Sequence, residues 1–351
     1  MKVYTIRDVA EKAGVSVTTV SRVLNHRPDV SKETQDRVRR VMAEYHFIGN
    51  PHARGLKQVE NDTVAVIIRG RQNPFLNALV EEILLCGHGV KATFMTEYLD
   101  ETDDEFRHAL TLLHRRRITG LIFAGSRIDE RCAVLDGVNI PMVFATVTTE
   151  GTPMARASSV SMDDRKMACA AAEALLARGH RKIAVFGGGR TGKDCPALRL
   201  RGVMDAFEKY GVPFDEDRYI KTRFKLDAAY DAALDFFRRS PDTTAAFCVS
   251  DVVALSVIRA LADLGRRVPQ DVSVIGVDGM KIGQYTLPRL STIVQPVEEI
   301  ARQSVSVLRD MMENGAPARY VTVEARLEIR ESVTINAAGQ SNPLEGHFAE
   351  A

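Results

Sequence analysis

Six short apolar runs, at residues 64–68, 120–123, 142–144, 183–186, 245–249 and 272–275, recur along most of the chain, with longer amphipathic stretches between them. A strand buried on both faces reads as such a run, and a crossover helix needs an amphipathic interval of that length. The alternation therefore predicts βαβ units in parallel sheets. Residues 62–335 are too many for one compact layer of this kind. Two doubly wound lobes are expected, with a crevice at the carboxyl ends of their strands. A hydrophobic share of 45% in 351 residues is enough to fill two such cores. No apolar run approaches the ~18 residues of a membrane span, so no membrane association is expected.

The first 49 residues follow a different period. Ile6, Val9, Ala10 and Ala13 are spaced as one face of a helix, and Gly14-Val15-Ser16 then forms a turn. Ser16 is suited to cap a second helix whose inward face is Val20, Val23 and Leu24. Beyond Pro28, Ser31 can cap a third helix, with an apolar stripe of Val38, Val41, Met42 and Tyr45. Three such stripes suffice for a small all-α core. Charge separates this head from the rest. Up to Lys57 there are 11 basic and 6 acidic residues, against 36 and 40 in the remainder, so a basic head precedes an acidic body within a chain of net charge +1. Local positive charge suits a polyanion, because phosphate binding depends on the patch and not on the total.

Helix, tight turn and helix with a polar outer face make a helix-turn-helix, whose second helix lies in the major groove of DNA. Val17, Thr18 and Arg22 are placed to reach base edges. Arginine pairs with guanine, and Val17 and the Thr18 methyl suit thymine. Thr5, Ser16, Thr19, Ser21 and Asn25 are small donors suited to phosphates, which position the protein without specifying sequence.

On these residues, from Thr5-Ile6-Arg7-Asp8-Val9-Ala10 through Thr19-Val20-Ser21-Arg22-Val23-Leu24-Asn25, the chain resembles transcription regulators of the lactose-repressor type, and the resemblance runs over residues 4–332. It implies two lobes of periplasmic-binding-protein type behind the head. It also implies a hinge at residues 50–61 that becomes helical on operator DNA. Asn50, Ala53, Arg54, Gly55 and Leu56 match that hinge, with Leu56 at the position of a wedge that enters the minor groove; an apolar wedge unstacks a base step and opens that groove. Gly49 stands where the family usually has proline. In the body the resemblance assigns effector contacts to Phe75, Arg199, Phe224, Ser250 and Asp278. Thr146-Val147 replaces a common aspartate segment, and Ser250 replaces a usual asparagine. Aromatic faces with an Arg and Asp pair suit a sugar, and a purine also fits.

Two rivals exist. The segment Gly187-Gly188-Gly189-Arg190-Thr191-Gly192 satisfies GxGxxG, the mark of an NAD-dependent enzyme. But Lys193-Asp194-Cys195-Pro196 separates the glycines from the next helix, and the acidic residues about 20 positions on are helical. A secreted sugar-binding protein would share the two lobes, but the N-terminus lacks the apolar stretch of a signal peptide, so a cytoplasmic location is expected. Five scattered cysteines form no disulfide or zinc framework. The expectation is a homodimeric repressor without catalytic residues, metal or cofactor. It binds a pseudo-palindromic operator and is controlled by a small molecule, a carbohydrate in the first instance. The polar tail at 336–351 lacks the heptads of a tetramerising extension.

Overall fold

The computed structural model describes residues 6–24, 30–45, 62–154, 156–192 and 194–336. By internal packing the chain divides into two units, Met1–Asn61 and Asp62–Ala351.

The first unit holds α1 (Ile6–Ala13), α2 (Val17–Leu24) and α3 (Lys32–Glu44). Val9, Ala10, Ala13, Val20, Val23 and Val38 form its core, with Leu24, Val41 and Met42 packed around them. Gly14 sits at φ +65°, the left-handed geometry that ends α1 and that a side chain would resist. The Ser16 hydroxyl accepts from the Thr19 amide at 3.1 Å and so caps α2, as the sequence predicts. Ser16→Ala is expected to cost the head about 1 kcal/mol, read as a lower midpoint in thermal unfolding of the head.

The second unit is two α/β lobes of periplasmic-binding-protein type. In the first lobe the strands are β1 (Asp62–Arg69), β2 (Ala92–Leu99), β3 (Ile118–Ala124), β4 (Met142–Ala145), β5 (Ala157–Ser161) and β11 (Tyr320–Thr322). They lie in the order β11-β5-β4-β3-β1-β2, all parallel. In the second they are β6 (Ile183–Gly187), β7 (Tyr219–Lys221), β8 (Ala245–Cys248), β9 (Ser273–Asp278), β10 (Ser291–Val294) and β12 (Arg326–Glu328), in the order β12-β10-β9-β8-β6-β7. Here only β12 runs antiparallel. Apart from the edge strands β11 and β12, the two orders are the same, so each lobe reverses direction at its first strand and opens a crevice there.

The helices of the body are α4 (Pro74–Gly87), α5 (Glu105–Arg115), α6 (Asp164–Leu176), α7 (Cys195–Lys209), α8 (Leu226–Arg239), α9 (Asp251–Asp263) and α10 (Val297–Glu313). The chain crosses between lobes three times. After β5 it leaves the first lobe to form α6, which packs on α7, and after β10 it returns to form α10, which packs on α4. It crosses once more between β11 and β12. One large core runs through both lobes, from Val64 and Leu79 to Phe207 and Ile275, and a second and third close the outer faces. Phe106, Phe123 and Phe144 cluster in the first outer layer, the last two stacked at 4.5 Å. Phe186, Phe236 and Phe237 do the same in the second. Among the described residues no helix is long and apolar enough to cross a membrane.

Candidate functional site

The carboxyl ends of β1, β2, β3, β4, β6, β7, β9 and β10 converge on one cleft of about 390 Å³ between the lobes. That volume lies within the ~300–1,000 Å³ of small-molecule sites.

Arg199 is part of its wall. It comes from the second turn of α7 and is 4% exposed. Its Nε donates to Asp164 at 2.7 Å and its Nη1 to the Val249 carbonyl at 2.5 Å. Asp278 lies 3.9 Å from Nη1 on the other side, and the Gln295 amide donates to its Oδ1 at 2.9 Å. The second oxygen, Asp278 Oδ2, is buried without a hydrogen-bond partner, and Asp278 lines the cleft. An acceptor held dry in this way is what a ligand hydroxyl requires. Burial pushes the Asp278 carboxyl up, against the pull of Arg199 and Gln295.

Among the described residues two non-glycine positions have positive φ, Thr146 at 81° and Asp278 at 128°. They occupy the corresponding place in each lobe, at the end of β4 and of β9, and both line the cleft. A β-branched residue there is strained, and such strain persists where the surroundings fix it. At Thr146 those surroundings include the Val160 carbonyl, which accepts its amide at 2.8 Å, and the Cys195 thiol, which donates to its carbonyl at 3.2 Å.

The mouth of the cleft is bridged by charge. Asp100 and Glu101, after β2, meet Arg223 and Lys225, after β7: the Lys225 ammonium donates to Asp100 at 2.9 Å, and Arg223 bonds Asp100 at 3.2 Å and Glu101. The hydrogen bond from Lys225 holds the Asp100 carboxyl well below the usual range, so it stays ionised.

Of the residues expected to meet an effector, Phe75, Arg199, Phe224 and Asp278 line this cleft, and Ser250 does not. Ser250 is wholly buried and its hydroxyl accepts from the Val253 amide at 3.3 Å, which makes it the N-cap of α9. The neighbouring Asp251 is likewise engaged internally, by Thr292 at 2.6 Å and the Met280 amide at 2.7 Å. Phe75 is 5% exposed and packs mainly into the core, and Phe224 is half-buried over the second outer layer. Thr146, noted as a departure from the family pattern, is part of the wall.

Sequence reasoning missed Asp164, Arg69, Arg71, Gln295 and the charged pairs at the mouth. Arg69 and Arg71 had a readable signal, since they directly follow an apolar strand whose end faces the crevice. Asp164 had none, because it starts a helix 35 residues from the arginine it pairs with.

The glycines of residues 187–192 do not open a helix. α7 begins at Cys195, and its N-cap Asp194 accepts from the Ala197 amide at 3.2 Å. A carboxylate thus fills the helix end where a dinucleotide's pyrophosphate would lie. No group of three or more metal-ligating side chains occurs among the described residues. All five cysteines are free; Cys132 and Cys248 are buried and the other three half-buried.

In the head, Val17, Thr18 and Arg22 are exposed on α2, while Thr19 and Ser21 are half-buried. Ser16 is exposed, and its hydroxyl also bonds that of Thr19 at 2.9 Å. Thr5, Asn25, Asn50, Ala53 and Leu56 lie outside the described residues.

A helix-turn-helix unit joined in one chain to a two-lobed ligand cleft defines a DNA-binding regulator that answers to a small molecule. The chain belongs to the lacI family of bacterial regulatory proteins. Residues 5–50 match the description "Bacterial regulatory proteins, lacI family", and residues 144–333 match "Periplasmic binding protein-like domain". The HTH-type transcriptional repressor CytR of Escherichia coli (strain K12) is 30% identical over 91% of this chain and 94% of its own. Among solved structures, the transcriptional regulator CelR–cellobiose complex superposes with a TM-score of 0.70 at 27% identity, covering 94% of this chain and 99% of that one. The lac repressor dimer bound to operator and the anti-inducer ONPF gives 0.73 at 25%, covering 95% and 100%.

Proposed function

We propose that this regulator is a homodimeric repressor that binds a pseudo-palindromic operator through its head and hinge, and that a carbohydrate held in the cleft controls operator affinity. The observation that carries the effector half is Arg199 beside Asp278, whose Oδ2 is left without a hydrogen-bond partner, in a cleft lined by Phe75 and Phe224. Apolar ring faces and paired hydroxyls are the features such a wall recognises. The structure similar to this one that holds cellobiose, and the lac repressor dimer on its operator, support the reading. The boundaries that accompany it are head 1–49, hinge 50–61, body 62–335 and tail 336–351. Val17, Thr18 and Arg22 read bases; Thr5, Ser16, Thr19, Ser21 and Asn25 meet phosphates; Asn50, Ala53 and Leu56 act in the hinge. Ser250 is not proposed as a ligand contact. The reading assigns no reaction to the chain and places it in the cytoplasm, where its operator is.

Lobe closure around an effector and ordering of the hinge on DNA are coupled reciprocally, so the effector changes operator affinity by the factor by which DNA changes effector affinity. Selection from random duplexes followed by gel shift tests the first half; absence of any two-fold-symmetric preference would refute it. Arg22→Ala is expected to cost about 1–3 kcal/mol of specific binding and to relax preference at one base pair per half-site. Unaltered preference in the same gel shift would remove Arg22 from base reading.

A further inference from the structure

We infer that the effector carries an anionic group, a carboxylate or a phosphate, beside its hydroxyls: an acidic sugar and not a neutral one. The inference rests on the carbohydrate reading of the cleft and sharpens it.

Seven arginine and lysine side chains line the cleft, against four carboxylates, and three of the seven, Arg69, Arg127 and Arg199, also pair with Glu105, Asp129 and Asp164 behind the wall. All four carboxylates are already engaged by the protein. Asp100 and Glu101 are held by Arg223 and Lys225. Asp194 caps α7 and lies 3.8 Å from Arg127. Asp278 is held by Gln295, with Arg199 nearby. The cations are not balanced in the same way. Arg71 follows β1 in the first lobe and Lys221 ends β7 in the second; both are exposed, both line the cleft, and neither side chain has an ion pair or hydrogen bond among the described residues, although the Arg71 amide donates to the Leu99 carbonyl at 3.3 Å.

One free cation therefore comes from each lobe. An anion between them would be held by both lobes at once, so it would stabilise the closed form more than either lobe binds it alone. The amino-terminal end of α4, through Asn73 and Phe75, faces the same cleft and adds its positive dipole end. Asp278 Oδ2 remains the acceptor for a hydroxyl. A neutral sugar would satisfy Asp278 and leave the Arg71 and Lys221 side chains of the cleft without a counter-charge.

The test uses the full-length protein and matched ligands: glucose, glucuronate and glucose 6-phosphate; galactose and galacturonate; ribose and ribose 5-phosphate; with cellobiose and adenosine beside them. Thermal shift finds the binders and calorimetry measures Kd. At least one acidic sugar is expected to bind tenfold or more tightly than its neutral counterpart, with affinity that falls as salt rises. The R71Q/K221Q double variant, altered only at exposed positions, is expected to erase that difference. The sugar acids against the phosphates show which anion is meant. A neutral sugar binding as tightly as its acid would overturn the inference and leave the carbohydrate reading standing. Adenosine binding while every sugar fails would overturn both, and no shift with any acidic sugar would overturn the inference.

Discussion

Arg199→Ala is expected to cost the body about 3–5 kcal/mol of stability and to remove the effector response, because it breaks a buried ion pair by taking away one partner. The arginine is 4% exposed, and its loss leaves Asp164, at 2.7 Å, and Asp278, at 3.9 Å, buried without their cation. Such carboxylates avoid the cost by taking up protons, and burial already pushes both up. The sign follows from linkage. A carboxyl whose folded-state pKa is raised contributes stability at low pH and loses it as pH rises past the ordinary carboxylate range, about 4 in unfolded chains. The deficit of the variant should therefore be smaller at pH 5 than at pH 8. Denaturant titration at both values measures it, and a variant within 1 kcal/mol of the parent at each would refute the central role of the pair. Arg199→Lys keeps the charge but not the geometry that reaches Asp164 and Val249 together, so it should fold and still lose effector affinity.

Gly202→Val is expected to cost about 3 kcal/mol or more, through overpacking and not through backbone conformation. Gly202 lies within α7 at its closest approach to α6, where a Cβ would stand 2.0 Å from the Arg165 carbonyl oxygen and 2.9 Å from the Cys169 amide nitrogen. Backbone atoms cannot rotate away, so the two helices must part. The consequence for the cleft is direct, since α6 begins with Asp164 and α7 carries Arg199. Both lower stability and weaker effector binding are expected, by thermal unfolding and calorimetry. Parental values in both measurements would show that the contact between the helices can relax without moving the ion pair.

The central strands were legible because each is buried on both faces and reads as an unbroken apolar run. The strands that escaped notice are those whose partners lie on one side or whose residues are small. β2 is half-exposed along most of its length. β5 is Ala-Ser-Ser-Val-Ser, wholly buried, with the Ser158 hydroxyl accepting from the Arg319 amide at 3.0 Å. Nothing in a run of serines announces a strand; the partner that satisfies Ser158 is 161 residues away. The head was legible to single residues, because a cap, a left-handed glycine and a helical stripe are all local.

Local order thus fixed much: helix-turn-helix, βαβ repeats, two lobes, and a cleft at the strands' carboxyl ends all follow from periods of two to four residues and from the space a crossover requires. Tertiary structure alone decided which charges meet. Arg199 is clamped by an aspartate from another helix, Ser250 turns inward to cap α9, and Asp100 pairs with Lys225 across 125 positions, while the Arg71 and Lys221 side chains are left without partners among the described residues. An ion pair depends on distance in space and on desolvation, and neither can be read from the sequence of a chain that crosses between its lobes three times.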